Sequence, residues 1–311
     1  MQPSPSRTAI TGMLCVTVLL WGANNTGLKF LVGAWPPLWV ICSRIWLVAA
    51  ILFVLLRATR WFGEWTPVAP NIARAMWLRA GLTLAAYFTA ITFSLRYISA
   101  PQMALHLATS PVWGLVWEQN QAGTRSDALR RYGAAFLALG GVAVLLWPKI
   151  NFGAMDWHGD ALAQIASILW TLYGRQCRGL AQGGNGLGGA QITCATMWRA
   201  AVWLTPATLW ELAERGRLPV NGTLLGVHAY CTVFGGVVAF VLYTQALRYW
   251  PVSQVFLFNN LIPASTMAFS WLLMGEHVTG TFWLALLMVS GAVVAGQMPT
   301  PVHDTSPAKD A

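Results

Sequence analysis

The stretch FTAITFSLRYISAPQMALHLATSP (Phe88–Pro111) returns later in the chain as FVLYTQALRYWPVSQVFLFNNLIP (Phe240–Pro263), and this recurrence decides the fold. The two stretches align without a gap at a shift of 152 residues. The identical pairs are Phe88/Phe240, Thr92/Thr244, Leu95/Leu247, Arg96/Arg248, Tyr97/Tyr249, Gln102/Gln254, Leu105/Leu257 and Pro111/Pro263. Shared apolar composition explains a few identities, but not a matched LRY cluster followed at the same distance by a matched proline. The sequence therefore predicts an internal repeat.

The chain around this repeat is too apolar for a soluble protein. Of its 311 residues, 56% are hydrophobic and 9% are charged, whereas soluble domains carry about 25% charged residues. Such a chain cannot cover its surface with solvated groups, and we expect that surface to meet lipid. The net charge of +9 does not indicate nucleic acid, because the basic residues are scattered singly between apolar stretches.

The apolar stretches are long enough to cross a membrane as helices. A span needs about 20 mostly apolar residues, because no backbone polar group can stay unpaired in hydrocarbon. We therefore predict an all-α membrane protein of about ten transmembrane helices, with a retained first helix rather than a cleaved signal peptide. The predicted spans are 9–32, 37–57, 76–95, 99–117, 132–148, 159–178, 190–210, 223–247, 251–274 and 278–297.

The repeat divides these spans into two units of five helices, residues 8–148 and 158–297, followed by a disordered cytoplasmic tail over 299–311. Because five is odd, the second unit enters the membrane from the opposite face. The sequence thus predicts an inverted repeat, an architecture that many transporters use for alternating access. An enzyme has no comparable need for this symmetry.

The basic residues predict the orientation. Cytoplasmic segments are enriched in Lys and Arg, and placing the N-terminus inside puts most of the 19 basic residues on the cytoplasmic side. We therefore expect a multi-pass protein of the bacterial inner membrane with both termini in the cytoplasm. The basic residues left for the other side are Lys29, Arg96, Lys149, Arg215 and Arg217.

Four segments resemble the EamA-type transporters of the drug/metabolite transporter (DMT) superfamily. WGANNTGLKF (Trp21–Phe30) is similar to the family's opening motif, and SRIWLVAAILF (Ser43–Phe53) to its second helix. GDALAQIASILWTLYGRQCR (Gly159–Arg178) resembles its sixth helix. The segment Asn259–Val294 resembles its ending, in which a proline precedes a Gly-Glu pair, here Gly275-Glu276.

Within this superfamily the aromatic-rich chain is most similar to the YddG-like aromatic amino acid exporters. The resemblance implies ten helices in two EamA repeats, a location in the inner membrane and export of amino acids or related metabolites. The chain departs from the family pattern after Pro111. There the first unit reads QAGTRS and has no Gly-Glu pair, and Glu118 is out of register.

Polar and aromatic residues within spans are the candidate substrate-binding residues, because burying them costs free energy without a partner or a water-filled cavity. Amides suit a solute's ammonium or carboxylate, and aromatic rings suit planar apolar solutes or cations. The alternative for each residue is packing between helices or contact with lipid. The candidates are Trp21, Asn24, Asn25, Tyr87, His106, Trp113, Trp170, Tyr173, Tyr243, Asn259 and Asn260.

Some of these candidates are distinguished by the repeat or by helical spacing. His106 corresponds to Phe258, so the symmetry does not demand a histidine there, and this asymmetry favours a function over packing. Trp170 and Tyr173 are three residues apart and share a helix face. Pro111 and Pro263 fall within spans, where each removes a backbone donor, and their matched placement predicts a hinge at each.

Arg44 and Arg199 correspond at a shift of 155 and lie inside spans. They could balance a substrate carboxylate, but their family-typical positions favour a structural role, with the guanidinium at headgroups or on backbone carbonyls. No Asp or Glu stands at the middle of any predicted span. We therefore expect weak or no proton coupling through a carboxylate, with His106 as the exception to consider.

The sequence thus predicts a carrier that exports aromatic or neutral amino acids and related metabolites by alternating access. Its partners are a small-molecule substrate and membrane lipid, with no nucleic acid, as a monomer or weak dimer. We expect no enzyme activity, cofactor or metal, because no Walker, GxSxG, HExxH or Cys/His cluster is present. The alternatives are a lipid-group transferase using Asp156, His158 and Asp160, or a carrier for cationic drugs or nucleotide sugars.

Overall fold

The computed structural model describes residues 6–59, 65–117, 125–151, 157–182, 187–250, 252–277 and 279–297. Within these ranges the chain is almost entirely helical and contains no strand, which confirms the all-α prediction. The predicted tail 299–311, Glu118 and Asp156 lie outside the described residues. The helices are α1 (Arg7–Ala34), α2 (Pro37–Ala58), α3 (Pro70–Tyr97), α4 (Ala100–Leu107 and Ser110–Trp117), α5 (Arg125–Asn151), α6 (His158–Gln182), α7 (Gly189–Arg215), α8 (Gly222–Tyr249), α9 (Val252–Asn259 and Ile262–Met274) and α10 (Gly280–Gln297).

The outer surface of this helical assembly is apolar. In the described part of the chain, α2, α3 and α8 are long and apolar enough to cross a membrane by length and composition. Large apolar side chains also project from the other helices, and exposing them to water would cost about 25 cal/mol per Å². This surface suits lipid. Examples of these exposed side chains are Phe136, Ile165, Trp210, Leu272 and Leu287.

The helix bounds follow the repeat seen in the sequence. The first and last residues of α8 are those of α3 shifted by 152, and the first segments of α4 and α9 are related in the same way. The second segments begin at Ser110 and Ile262, again 152 residues apart. The sequence similarity therefore extends to the positions where these helices begin and break.

The matched prolines lie where each broken helix resumes. The first segments of α4 and α9 end at Leu107 and Asn259, and Pro111 and Pro263 are the second residues of the segments that follow. A proline in the first helical turn gives up a donor that would have no intrahelical acceptor. The prolines thus begin new segments, whereas the sequence placed them inside continuous spans. Their role as hinges stays a prediction.

Helices α3 and α8 also each contain a π-helical turn, over Met76–Gly81 and Cys231–Val238. A π turn interrupts the regular ladder of backbone hydrogen bonds, and such turns occur frequently at functional sites. In α8 the turn contains Gly235 and Gly236, which allow α1 and α2 to approach its backbone closely.

Helix α1 packs against the second segment of α9 through Gly22. A Cβ atom at this position would lie 2.1 Å from Ser265 Oγ and 2.8 Å from the backbone carbonyl carbon of Ser265. Nearby, Thr26 Oγ1 and Ser270 Oγ share a hydrogen bond of 3.0 Å. No side chain larger than hydrogen fits at residue 22 unless the helices separate.

We therefore expect Gly22→Ala to destabilise the protein by about 1–3 kcal/mol, the usual range for overpacking. The matched control is Gly12→Ala on the same helix, where an added Cβ atom meets nothing within 4 Å. The measurement is the melting temperature in detergent by tryptophan fluorescence. Equal melting temperatures for the two variants would show that the close contact of α1 with α9 is not as described.

Candidate functional site

A cavity lies at the centre of the helical assembly, between helices of the first and second halves of the chain. It has a volume of about 30 Å³, room for about two water molecules. An amino acid does not fit into this volume. The lining residues are Trp21, Asn24, Asn25, Leu28, Arg44, Tyr87, Phe88, Ile91, Leu107, Trp170, Phe240, Asn259 and Ile262.

Trp170 of α6 is the centre of an aromatic cluster that forms one wall of the cavity. Its side chain is 4% exposed. The rings around it are tilted or edge-on, the geometry that aromatic pairs prefer. The centroid of its ring lies between 4.9 and 5.8 Å from the centroids of Trp21, Tyr87, Tyr173, Phe240 and Tyr243.

Hydrogen bonds fix the orientation of two rings in this cluster. Trp21 Nε1 donates to the carbonyl oxygen of Gly235, in the π turn of α8, at 3.1 Å. The hydroxyl of Tyr173 lies 2.9 Å from Thr196 Oγ1. Tyr173 and Tyr243 are not among the lining residues. Tyr243 packs against Trp21, and Tyr173 packs against Trp170.

Three amide side chains form the polar part of the wall. Asn25 Nδ2 donates to Thr266 Oγ1 at 3.2 Å. Asn24 and Asn259 are 4% and 6% exposed, yet Asn24 Oδ1 and Asn259 Nδ2 have no hydrogen-bond partner among the described residues. A buried polar group without a partner costs about 1–3 kcal/mol. Two of the lining residues thus keep an unpaired polar atom, an acceptor on Asn24 and a donor on Asn259.

Arg44 of α2 also lines the cavity, although the sequence favoured a structural role for it. It is 2% exposed. Its Nε donates to the carbonyl oxygen of Cys231, again in the π turn of α8, at 2.8 Å. Arg44 therefore binds a backbone carbonyl, as the structural interpretation expected, and also lines the cavity; its pairing with a substrate carboxylate stays a prediction.

His106 does not line the cavity; it belongs to a separate polar network between α4 and α6. Its Nε2 lies 3.0 Å from Asp160 Oδ1, and its Nδ1 lies 3.0 Å from Gln164 Oε1. Gln102 Nε2 donates to the same Asp160 oxygen at 3.2 Å. Asp160, which the sequence placed on the outer side, is buried in the first turn of α6.

Two further candidate residues lie outside the cavity wall. Trp113, in the second segment of α4, and Asn260, in the break of α9, are not among the lining residues. Among the described residues, no group of three or more His, Cys, Asp or Glu side chains is placed to hold a metal ion.

The sequence list missed two aromatic lining residues, Phe88 and Phe240. They are the first identical pair of the repeat, both line the cavity, and their rings contact each other with centroids 5.9 Å apart. Leu107 and Asn259, also related by the shift of 152, both line it as well. Positions related by the repeat thus meet at the cavity, and the repeat itself was the signal that would have found Phe88 and Phe240.

Comparison with known proteins agrees with this architecture. Residues 157–295 match the model of the EamA-like transporter family. The "Uncharacterized inner membrane transporter YedA" of Escherichia coli K12 is 26% identical over 291 residues, which cover 91% of this chain and 89% of YedA. YedA from strains CFT073 and O157:H7 matches to the same extent.

A solved crystal structure shares the fold along nearly the whole chain. It matches with a TM-score of 0.66 at 18% identity and covers 94% of this chain and 98% of that chain. The second half of the chain is thus similar to the EamA-like transporter family, and the solved structure shares the overall fold.

Proposed function

We propose that this chain is an inner-membrane carrier that exports aromatic or neutral amino acids and related metabolites by alternating access, in the manner of the YddG-like exporters. The observation that carries the proposal is the central cavity, where repeat-related positions meet around an aromatic wall with unpaired amides. The similarity of the chain to YedA, which is named as an inner membrane transporter, also supports a membrane transporter.

The chemistry of the wall favours an aromatic amino acid as the solute. Ring faces and edges from Trp21, Phe240 and Trp170 suit a planar apolar side chain by stacking or edge-on contact. The free oxygen of Asn24 and the free nitrogen of Asn259 suit the ammonium and carboxylate groups. Because the cavity is too small for this solute, binding requires the helices of the two halves to separate.

In this proposal the chain forms two inverted five-helix repeats over 8–148 and 158–297, with both termini in the cytoplasm, as a monomer or weak dimer. Transport is weakly or not coupled to protons, since the lining residues include no Asp, Glu or His within the described part of the chain. The buried carboxylate of Asp160 is hydrogen-bonded to Gln102 and lies 3.0 Å from His106 Nε2.

The same contacts weigh against the alternatives. A lipid-group transferase using Asp160 would need this side chain accessible near the interface, but it is buried. Cationic drugs would meet the positive charge of Arg44 in the cavity. Nucleotide sugars would need several basic lining residues, whereas Arg44 is the one basic residue among those that the described chain places there.

A counterflow assay in proteoliposomes tests the proposed function. Vesicles loaded with unlabelled phenylalanine should transiently accumulate external labelled phenylalanine, while protein-free vesicles should not. A panel of labelled tryptophan, leucine, lysine and a cationic dye defines the range of solutes. A pH gradient imposed across the membrane should change the final accumulation little. Absence of exchange for every amino acid in the panel would refute the proposal.

A further inference from the structure

Arg44 carries a buried positive charge that forms no ion pair within the described part of the chain. Among the described residues, no carboxylate lies within 4.0 Å of its guanidinium group. The hydrogen bond from Arg44 Nε to the carbonyl oxygen of Cys231 uses one of the five N–H donors of the side chain. Burying an unpaired charge is costly, so a residue in this position needs a compensating partner during the protein's working cycle.

Arg199, at the corresponding position of the second half, shows the contrasting arrangement. It is also buried, at 7% exposed. Its guanidinium carbon lies 4.3 Å from the ring centre of Trp198 and 5.6 Å from that of Trp77, and its Nη1 donates to the carbonyl oxygen of Ala195. Arg199 therefore has aromatic partners for its charge and does not line the cavity, whereas Arg44 lines the cavity without them.

Arg44 and Asn24 both approach the π turn of α8. Arg44 Nε bonds to Cys231 at the start of this turn. A Cβ atom added at Gly235, in the same turn, would lie 2.2 Å from Asn24 Oδ1, and one added at Gly236 would lie 3.6 Å from Arg44 Nε. The guanidinium group of Arg44, on α2, and the unpaired amide oxygen of Asn24, on α1, thus both lie against the same π turn of α8.

We propose that Arg44 determines substrate specificity by binding the carboxylate of the transported solute. This inference rests on the proposed carrier function and specifies the solute as an aromatic α-amino acid. Its carboxylate pairs with the guanidinium group, whose planar donors match a carboxylate bidentately. Its ammonium group donates to Asn24 Oδ1, and its ring packs against Trp21 and Trp170. The solute thereby supplies the missing counter-charge.

The first test uses the wild-type protein and a series of competitors in phenylalanine counterflow. Phenylalanine, 3-phenylpropanoate and phenethylamine differ in whether they carry the carboxylate and the amine. We expect loss of the carboxylate to raise the half-inhibitory concentration at least about tenfold, the effect of losing a hydrogen bond to a charged group. Equal inhibition by phenethylamine and phenylalanine would overturn the role of Arg44 while leaving the carrier function intact. Absence of labelled exchange would instead refute the carrier function.

The second test compares Arg44→Gln with the matched control Arg199→Gln. Arg44→Gln should weaken inhibition by phenylalanine at least about tenfold and erase the difference between phenylalanine and phenethylamine, whereas Arg199→Gln should keep that difference. Size-exclusion chromatography and the melting temperature verify that each variant is folded. If Arg44→Gln does not fold, the competitor series on the wild-type protein is the deciding test. A folded Arg44→Gln protein that still prefers the carboxylate would overturn the proposal.

Discussion

Replacing Trp170 with alanine is expected to abolish tight solute binding and to lower the melting temperature. Trp170 is almost fully buried and contacts five other aromatic rings. Removing a large aromatic side chain from such a site costs about 3–5 kcal/mol of stability. The indole also forms the centre of the wall on which a solute would pack, so the same change removes binding surface. The loss should be partial for Trp170→Phe, which keeps a ring.

The measurements are the melting temperature in detergent and the concentration of phenylalanine that half-saturates counterflow. The matched control is Trp271→Ala in the second segment of α9, because that side chain is 57% exposed on the outer surface. If Trp170→Ala and Trp271→Ala behaved alike in both measurements, the aromatic cluster would not be the binding wall.

Replacing Asp160 with alanine is the second change with a large expected effect. The carboxylate accepts from Gln102 and contacts His106 in a buried network that joins α4 of the first half to α6 of the second. Removing the carboxylate leaves Gln102 and His106 without this partner, and each buried polar group left unpaired costs about 1–3 kcal/mol. We expect a lower melting temperature and reduced recovery of folded protein.

Asp160→Asn separates shape from charge, since its amide keeps an oxygen for Gln102 but loses the negative charge. It should fall between the wild type and Asp160→Ala in melting temperature. Glu214→Ala on α7 is the control, because that carboxylate is exposed and bonds to the exposed Trp210. An unchanged melting temperature for Asp160→Ala would show that the network does not hold the two halves together.

The fold was largely predictable because the repeat and the apolar spans are both visible in the sequence. The main differences are local. The predicted third span begins at residue 76, but α3 begins at Pro70, since a short helical turn precedes the π turn. The breaks in α4 and α9 were signalled by prolines, yet a proline does not reveal from sequence whether it bends a helix or begins a new one.

The candidate site was predictable in residue type more than in position. Trp21, Asn24, Asn25, Tyr87, Trp170 and Asn259 line the cavity as expected of polar and aromatic groups inside spans. His106 and Leu107 are neighbours in α4, but Leu107 faces the cavity and His106 faces Asp160. Spacing along one helix cannot decide which face meets the cavity when every face is apolar or buried.

Arg44 shows a second limit of sequence reasoning. Whether a basic side chain inside a span reaches headgroups or faces a cavity depends on its tertiary partners. For Arg44 that partner is the carbonyl of Cys231, far away in the chain, exposed for bonding where α8 adopts a π turn. No signal near residue 44 encodes this contact.

In the proposed transport cycle, the cavity is a solute site that opens to each side of the membrane in turn. The most direct measurement is labelling of Leu107→Cys, a lining position, by a membrane-impermeant maleimide in right-side-out and inside-out vesicles. The exposed native cysteine, Cys15, is first replaced with alanine. The control is Leu105→Cys, because Leu105 is buried against α10. We expect labelling of Leu107→Cys from both sides, slowed by phenylalanine, and no labelling of Leu105→Cys. Labelling from one side alone, or no protection by any amino acid, would contradict it.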